Sequence, residues 1–123
     1  MYTVTVTDSF VARHALTVPN PPEGEGELHS HTFTTEITFR GEELGEYGYL
    51  LDIDLATAAL AAVTERYHDA NLNDRLSGNP SVERLARALW FELADIDAPA
   101  VEALTVTVHE DETAVVSYTD GIE

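Results

Sequence analysis

The chain has 123 residues, of which 44% are hydrophobic, and its 23 acidic residues against six basic ones give a formal net charge of −17. This length predicts one domain, residues 1–123, and the apolar content suffices for a buried core. The negative charge opposes binding to nucleic-acid backbones and anionic membranes, and the lack of cysteine excludes disulfides, thiolate metal sites and thiol nucleophiles.

Two segments near the N-terminus alternate between apolar and polar residues, which predicts strands with one buried face. The first covers residues 2–8 and extends to about His14. The second covers residues 29–40, with Phe33, Ile37 and Phe39 on its apolar face. A loop rich in proline and glycine, residues 19–26, separates them, and an acidic turn region, residues 41–48, follows the second.

Two helices are predicted next, on either side of a polar loop over residues 71–80. The first begins near Asp52 or Asp54, either of which can act as an N-cap. Its predicted apolar face comprises Leu55, Ala59, Ala62 and Val63. The second opens at residues 79–81 with Pro80 in its first turn. Its apolar face comprises Val82, Leu85, Ala86, Leu89, Trp90 and Leu93.

Two further strands, residues 104–109 and 114–118, are joined by a tight turn at Asp111 and Glu112. The resulting order, β-β-α-α-β-β, predicts an α+β fold in which two helices cover one face of a four-stranded antiparallel sheet. Such a sheet has two unpaired edges, which need protection or a partner. Edge-to-edge assembly into an oligomeric barrel would satisfy them.

All six basic residues are arginine, and this absence of lysine beside an acidic excess is typical of a halophilic protein from a salt-rich cytoplasm. Self-repulsion is tolerable there because the Debye length falls to about 3 Å at 1 M salt. The sequence shows neither an N-terminal signal nor an apolar run of about 18 residues. We therefore expect a soluble cytoplasmic protein.

Three of the five histidines have a spacing that indicates a metal site. His29 and His31 lie two residues apart on a predicted strand, so their rings project from the same face. His14 ends the preceding strand, and antiparallel pairing can bring it beside them. Three imidazoles with an open fourth position are typical of catalytic zinc. The alternative is that His29 and His31 are ordinary surface residues of a strand.

Six short segments resemble motifs of the 6-pyruvoyltetrahydropterin synthase / 6-carboxytetrahydropterin synthase family. In chain order they are residues 10–14 (F-x-A-x-H), 28–33 (L-H-G-H-x-[FY], here with Ser30 for the glycine), 48–52 (G-x-[IV]-x-D), 71–73 (N-L-N), 79–83 (N-P-T-x-E) and 108–110 (V-x-E). They follow the family's order over nearly the whole chain.

The resemblance implies a tunnel-type fold, in which trimers close a β-barrel and two trimers stack into a homo-hexamer. It implies Zn²⁺ held by His14, His29 and His31 and a pterin substrate whose ring is anchored by Glu110. Ser81, where the family usually has threonine, would add a hydroxyl contact. The alternatives are that Glu110 is a solvated acid beside a hairpin and that Ser81 only caps a helix.

Glu25 occupies the position, four residues before His29, at which synthases of the family carry a catalytic cysteine. This variant resembles a subgroup that cleaves the side chain of 7,8-dihydroneopterin to give 6-hydroxymethyl-7,8-dihydropterin. Glu25 would then accept or relay the proton. The alternative is an acidic loop in which Glu23, Glu25 and Glu27 are all solvated.

The family's catalytic Asp-His pair falls on His68 and Asp69, in reversed order. Either His68 remains the proton-shuttling imidazole, with Asp69 orienting it within or across subunits, or the pair has been lost. In the second case His68 is only a residue at the C-terminus of a helix, where its interaction with the helix dipole is favourable.

Together these features predict a zinc-dependent pterin lyase acting on 7,8-dihydroneopterin or its phosphate. Six arginines without lysine are few for holding a triphosphate. One alternative is 6-carboxy- or 6-pyruvoyl-tetrahydropterin synthase-type activity on dihydroneopterin triphosphate. Another is a family member that binds pterin or metal without catalysis.

Overall fold

The computed structural model describes residues 1–122. Its elements are β1 (Tyr2–His14), β2 (His29–Gly41), α1 (Ile53–Tyr67), a 3₁₀ turn (Leu72–Asp74), α2 (Val82–Leu93), β3 (Ala103–Glu110) and β4 (Ala114–Gly121). This order confirms the predicted β-β-α-α-β-β arrangement; β4 runs three residues further than predicted, and the 3₁₀ turn lies in the predicted loop. No helix among the described residues combines the length and apolarity needed to span a bilayer.

The four strands form one antiparallel sheet in the order β1-β2-β3-β4, so β1 and β4 are its edges. One face carries the apolar side chains predicted from the alternation, including the fully buried Phe33, Ile37 and Phe39, and both helices pack against it. The opposite face is polar. Hydroxyl groups pair across its strands, for example Thr5 with Thr38 at 2.8 Å. The prediction of helices on one face of the sheet is therefore confirmed.

The α2 helix begins one residue later than predicted. Ser81 is its N-cap and accepts a hydrogen bond from the Arg84 amide at 3.2 Å, so Pro80 lies before the cap and not in the first turn. The predicted apolar face is buried except for the half-buried Val82. The indole of Trp90 donates to the Leu104 carbonyl at 2.8 Å and fixes α2 on β3.

The α1 helix is capped by Asp52, one of the two predicted caps, but of the predicted apolar face only Val63 is buried. Leu55 is 40% exposed, and the buried residues of the helix are Ala56, Leu60, Val63, Thr64 and Tyr67. Five alanines between residues 56 and 62 make two neighbouring stripes almost equally apolar, so periodicity does not distinguish them. The Thr64 hydroxyl, which donates to the Asp8 carboxylate at 2.6 Å, anchors the stripe that faces β1.

Two leucine-to-alanine variants test this assignment. Leu89→Ala in α2 is expected to lower the free energy of unfolding by about 2–5 kcal/mol, because Leu89 is fully buried and its loss leaves a cavity. Leu55→Ala in α1 is expected to change it by only about 0.5 kcal/mol. Denaturant unfolding in molar salt measures both. A large loss from Leu55→Ala would restore the face predicted from the sequence.

Candidate metal centre

The register of the first hairpin brings three histidines together. His14, the last residue of β1, lies opposite His29, the first residue of β2, and His31 follows on the same face of β2. The ring centroids of His14 and His29 are 4.6 Å apart, those of His29 and His31 are 4.7 Å apart, and those of His14 and His31 are 5.2 Å apart. The strand pairing alone therefore produces the cluster.

The loop between β1 and β2 adds Glu25 to the cluster. The Pro22 carbonyl accepts from the Glu25 amide at 2.9 Å, and Gly24 has a φ of 83°, which the third position of a type II turn requires. The Glu25 carbonyl accepts from the Leu16 amide at 2.8 Å, which ties the turn to the end of β1. The Glu25 Oε2 atom consequently lies 2.9 Å from the Nε2 atom of His29.

Each of the three imidazoles is oriented by a hydrogen bond on its other ring nitrogen. The acceptors of the Nδ1 protons are the Pro80 carbonyl for His14 (2.8 Å), the Glu27 carbonyl for His29 (2.7 Å) and the Asp111 Oδ2 atom for His31 (2.6 Å). All three acceptors are oxygen atoms, so the proton belongs on Nδ1 and the lone pair on Nε2. Metal-binding histidines are commonly oriented in this way.

The chemistry of the donor set fits a metal ion such as Zn²⁺. Possible ligand atoms of four residues, His14, Glu25, His29 and His31, all lie within 4.8 Å of one another. The three Nε2 atoms are buried and have no hydrogen-bond partner among the described residues. Three lone pairs and a carboxylate that converge in this way, without a donor between them, suit a bound cation. Three nitrogen ligands and one oxygen ligand suit zinc.

Burial favours the neutral form of His14. His14 is only 2% exposed, and desolvation lowers its pKa below the usual value of 6.5, against the raising effect of its bond to the Pro80 carbonyl. Its Nε2 lone pair is therefore available at lower pH than that of a solvated histidine. In the neighbouring turn, the hydrogen bond from His31 lowers the pKa of Asp111, which stays ionised.

The sequence placed Asp111 only in a hairpin turn and missed its contact with His31. Phe33 lies opposite Glu110, the last residue of β3, in the pairing of β2 with β3. Asp111, the residue after β3, therefore lies near the end of β2 that carries His31. One Asp111 oxygen accepts from the Thr32 amide at 3.0 Å while the other accepts from His31. The pairing of β2 with β3 therefore creates this contact. The sequence by itself shows only that an acidic residue occupies the turn.

Asp111→Asn is expected to weaken metal binding about tenfold, the lower end of the range for partners that orient a ligand. Asparagine tolerates the left-handed conformation of Asp111, whose φ is 49°, so the turn is retained while the charge on the acceptor is lost. Competition titration with a zinc chelator measures the affinity. Glu112→Gln, in the same turn, is the matched control. Equal affinities for Asp111→Asn and wild type would contradict this role for Asp111.

Glu110 and Ser81 lie next to the residues that form the cluster. Glu110 ends β3 on the face that carries Phe33, and its charge raises the pKa of His14, although less than burial lowers it. The Ser81 hydroxyl caps α2, which agrees with the helix-cap alternative. Ser81 also directly follows Pro80, whose carbonyl accepts a hydrogen bond from His14. Both predicted substrate-binding residues therefore border the metal centre.

His68 and Asp69 lie outside the four-residue cluster. His68 caps α1, and its Nδ1 atom accepts from the Val11 amide of β1 at 3.3 Å, while the Asp69 amide donates to the Val11 carbonyl at 2.7 Å. The two side chains approach each other, with His68 Nε2 3.6 Å from Asp69 Oδ2, and are 55% and 81% exposed. The predicted pair exists, but it sits on the outer edge of β1.

A pocket of about 640 Å³ lies between residues 45–54 and 97–100, and none of the four clustered residues lines it. This pocket is therefore separate from the candidate metal centre. The four clustered residues lie where the first hairpin, the start of α2 and the β3–β4 turn meet.

Comparisons with known proteins identify the family of this chain. The family profile described as 6-pyruvoyl tetrahydropterin synthase matches residues 3–121. The chain is 34% identical over 83 residues to a dihydroneopterin monophosphate aldolase of Pyrococcus furiosus. The match covers 68% of this chain, and it spans 65% of the length of that relative.

Solved structures of 6-pyruvoyltetrahydropterin synthases share the fold. A Plasmodium vivax enzyme with a substituted catalytic residue superposes with a TM-score of 0.82 at 16% identity, covering 98% of each chain. The Caenorhabditis elegans enzyme gives a TM-score of 0.76 at 18% identity, covering 97% of this chain and 95% of the other. The family match extends over nearly all of the sequence, so this chain belongs to the 6-pyruvoyl tetrahydropterin synthase family of pterin-processing enzymes.

Proposed function

We propose that the protein is a zinc-dependent pterin lyase that cleaves the side chain of 7,8-dihydroneopterin, or of its phosphate, to give 6-hydroxymethyl-7,8-dihydropterin. The observation that carries the proposal is the convergence of a carboxylate, Glu25, on the three unpartnered imidazole nitrogens of His14, His29 and His31. The Pyrococcus furiosus relative, named a dihydroneopterin monophosphate aldolase, supports the reaction class.

Glu25 is the group proposed to move the proton, since the chain has no cysteine. The Plasmodium vivax neighbour, described as a catalytic residue mutant, has alanine in place of a glutamate, so a family member uses a glutamate in catalysis. In this chain the Glu25 side chain is one-third exposed and lies beside the metal centre. It can therefore contact both the ligand cluster and a substrate that arrives from the solvent.

The proposed reaction is a retro-aldol cleavage. Glu25 accepts the proton of the hydroxyl on the second side-chain carbon, the bond between the first and second side-chain carbons breaks, and the second carbon leaves as the aldehyde group of the released fragment. The electron pair passes to the first carbon, which is attached to the pterin ring, and this carbon takes up the proton held by Glu25. A bound Zn²⁺ would stabilise the negative charge that develops on the side-chain oxygens. His14, His29 and His31 would hold the ion, because each is already oriented by its Nδ1 hydrogen bond.

The pterin ring would bind at the β3 end of the site. A carboxylate such as that of Glu110 can accept two parallel hydrogen bonds from the 2-amino-pyrimidine edge of the ring. Glu110 lies opposite Phe33 at the end of β3, so a ring held by it would lie near the histidine end of β2. Ser81 would contribute through its hydroxyl once the ring lies over the start of α2.

We propose that His68 and Asp69 act in a neighbouring subunit's site, since both side chains are exposed and lie outside their own four-residue cluster. The two edge strands can pair between copies and close a barrel lined by the polar sheet face, and two such trimers would form the hexamer. Six copies of a chain with a charge of −17 repel one another, so the hexamer should require molar salt. Sizing in low and molar salt tests this, and an identical hexamer in both would contradict it.

One reaction series tests the proposed function. The zinc-loaded protein is incubated in molar salt with dihydroneopterin, its monophosphate and its triphosphate, and the products are separated by chromatography. The expected product is 6-hydroxymethyl-7,8-dihydropterin. A 6-carboxy or 6-pyruvoyl product would instead identify a synthase, and tight pterin binding without any product would identify a non-catalytic member.

A further inference from the structure

Three of the six arginines gather at one pocket. Arg75, Arg84 and Arg87 line a pocket of about 530 Å³ between the segment after the 3₁₀ turn and the exposed side of α2. The remaining lining residues are Ser77, Gly78 and two apolar side chains, with no acid among them. In a chain with 23 acidic residues, half of the cationic side chains therefore meet at a surface from which carboxylates are excluded.

None of these three guanidinium groups forms an ion pair with a carboxylate of the described residues. Among the described residues, Arg66 is the arginine that pairs with a carboxylate, that of Glu92 at 2.8 Å. The partners of the pocket arginines are neutral: Arg84 donates to the Ser77 and Asn79 carbonyls at 2.8 and 3.2 Å. The guanidinium of Arg87 lies 4.8 Å from the centroid of the Phe91 ring, and that of Arg75 lies 5.6 Å from the Tyr67 ring. These contacts orient the groups while leaving their charge uncompensated.

Two backbone carbonyls position one of these groups. The carbonyls of Ser77 and Asn79 both accept from the Nη1 atom of Arg84. Gly78 lies between them with a φ of +71°, a conformation that favours glycine, and a Cβ atom at this position would meet the Nη1 atom of Arg84. The remaining N–H groups of the Arg84 guanidinium are left over after these two carbonyl contacts.

We propose that this pocket binds a phosphate group, either a phosphomonoester or free phosphate. Planar guanidinium groups match phosphate oxygens with paired hydrogen bonds, and three of them can compensate its two negative charges. Molar salt screens long-range attraction beyond about 3 Å, so direct hydrogen bonds of this kind are what remains effective in a salt-rich cytoplasm. The site itself does not depend on the proposed reaction.

The pocket is connected to the metal centre through two residues. Arg84 donates a hydrogen bond to the Asn79 carbonyl, and the next carbonyl, that of Pro80, accepts a hydrogen bond from His14. The bound phosphate could therefore belong to the pterin substrate or be a separate ion. This distinction rests on the proposed function, whereas the presence of the site does not.

Calorimetric titration with inorganic phosphate in molar KCl tests the site on the full protein. We expect binding by the wild type, a loss of about tenfold or more in affinity for both Arg87→Gln and Arg75→Gln, and no change for Arg40→Gln, which removes the same charge from β2. Arg84 is left intact because it also holds the loop. Absence of phosphate binding by the wild type, or equal weakening by Arg40→Gln, would overturn the proposal.

A kinetic arm with Arg87→Gln then distinguishes the two sources of the phosphate. A rise in KM for dihydroneopterin monophosphate, with an unchanged KM for dihydroneopterin, assigns the pocket to the phosphate of the substrate. Unchanged KM values for both, together with weaker phosphate binding, assign it to a separate phosphate ion. Inactivity of the wild type towards both compounds would reject the proposed function and leave the calorimetric result intact.

Discussion

His31→Ala is expected to abolish stoichiometric zinc binding and, with it, all pterin cleavage. Its Nε2 atom is one of the three buried, unpartnered nitrogens of the cluster, and the remaining two imidazoles cannot complete the ligand set. Loss of a partner that merely orients a ligand costs about 10–100-fold in affinity, so loss of the ligand itself should cost more. Metal analysis of protein dialysed against a weak chelator measures the effect.

His109→Ala is the matched control for this variant. His109 belongs to β3 but lies on the polar sheet face, where its Nε2 atom is 3.4 Å from the Glu36 carboxylate. It should retain one zinc ion per chain. If His31→Ala bound zinc as tightly as the wild type, the cluster would not be the metal site, whatever happened to activity.

Glu25→Gln is expected to lower kcat by about 10²–10⁴-fold, the usual contribution of a general base, and to leave the protein folded. Glutamine matches glutamate in size but cannot accept the proton. Because Glu25 also lies among the possible ligands, zinc content must be measured on the same sample. A fall in kcat with zinc retained supports proton transfer by Glu25.

Glu27→Gln is the control, since Glu27 is two residues away and contacts His29 only through its backbone carbonyl. This variant should keep both its zinc and its activity. Unchanged turnover in Glu25→Gln would rule out the proton-transfer role and direct attention to His68 and Asp69 instead. Turnover that Glu25→Gln abolishes would exclude a merely pterin-binding protein.

The strands and α2 could be predicted because their side chains repeat with one unambiguous period. In β2 the alternation sets Phe33, Ile37 and Phe39 on one face, and all three are fully buried. The same period assigns His29 and His31 to a common face. The buried face of α1 could not be predicted, because small apolar alanines lie on several sides of the helix. Contacts such as that of Thr64 with Asp8 decide which face is buried.

Sequence by itself determined the element order, the absence of thiol chemistry and the candidate ligands, since these depend on local periodicity and residue identity. Tertiary structure alone decided the rest. The hairpin register placed His14 opposite His29, the β2–β3 register brought Asp111 to His31, and chain folding gathered Arg75, Arg84 and Arg87 at one pocket. The two histidine contacts join residues distant in the chain, and their distances follow from strand pairing, which no local pattern encodes. Arg84 and Arg87 share a face of α2 through helix periodicity, but only packing of the segment before the helix brings Arg75 beside them.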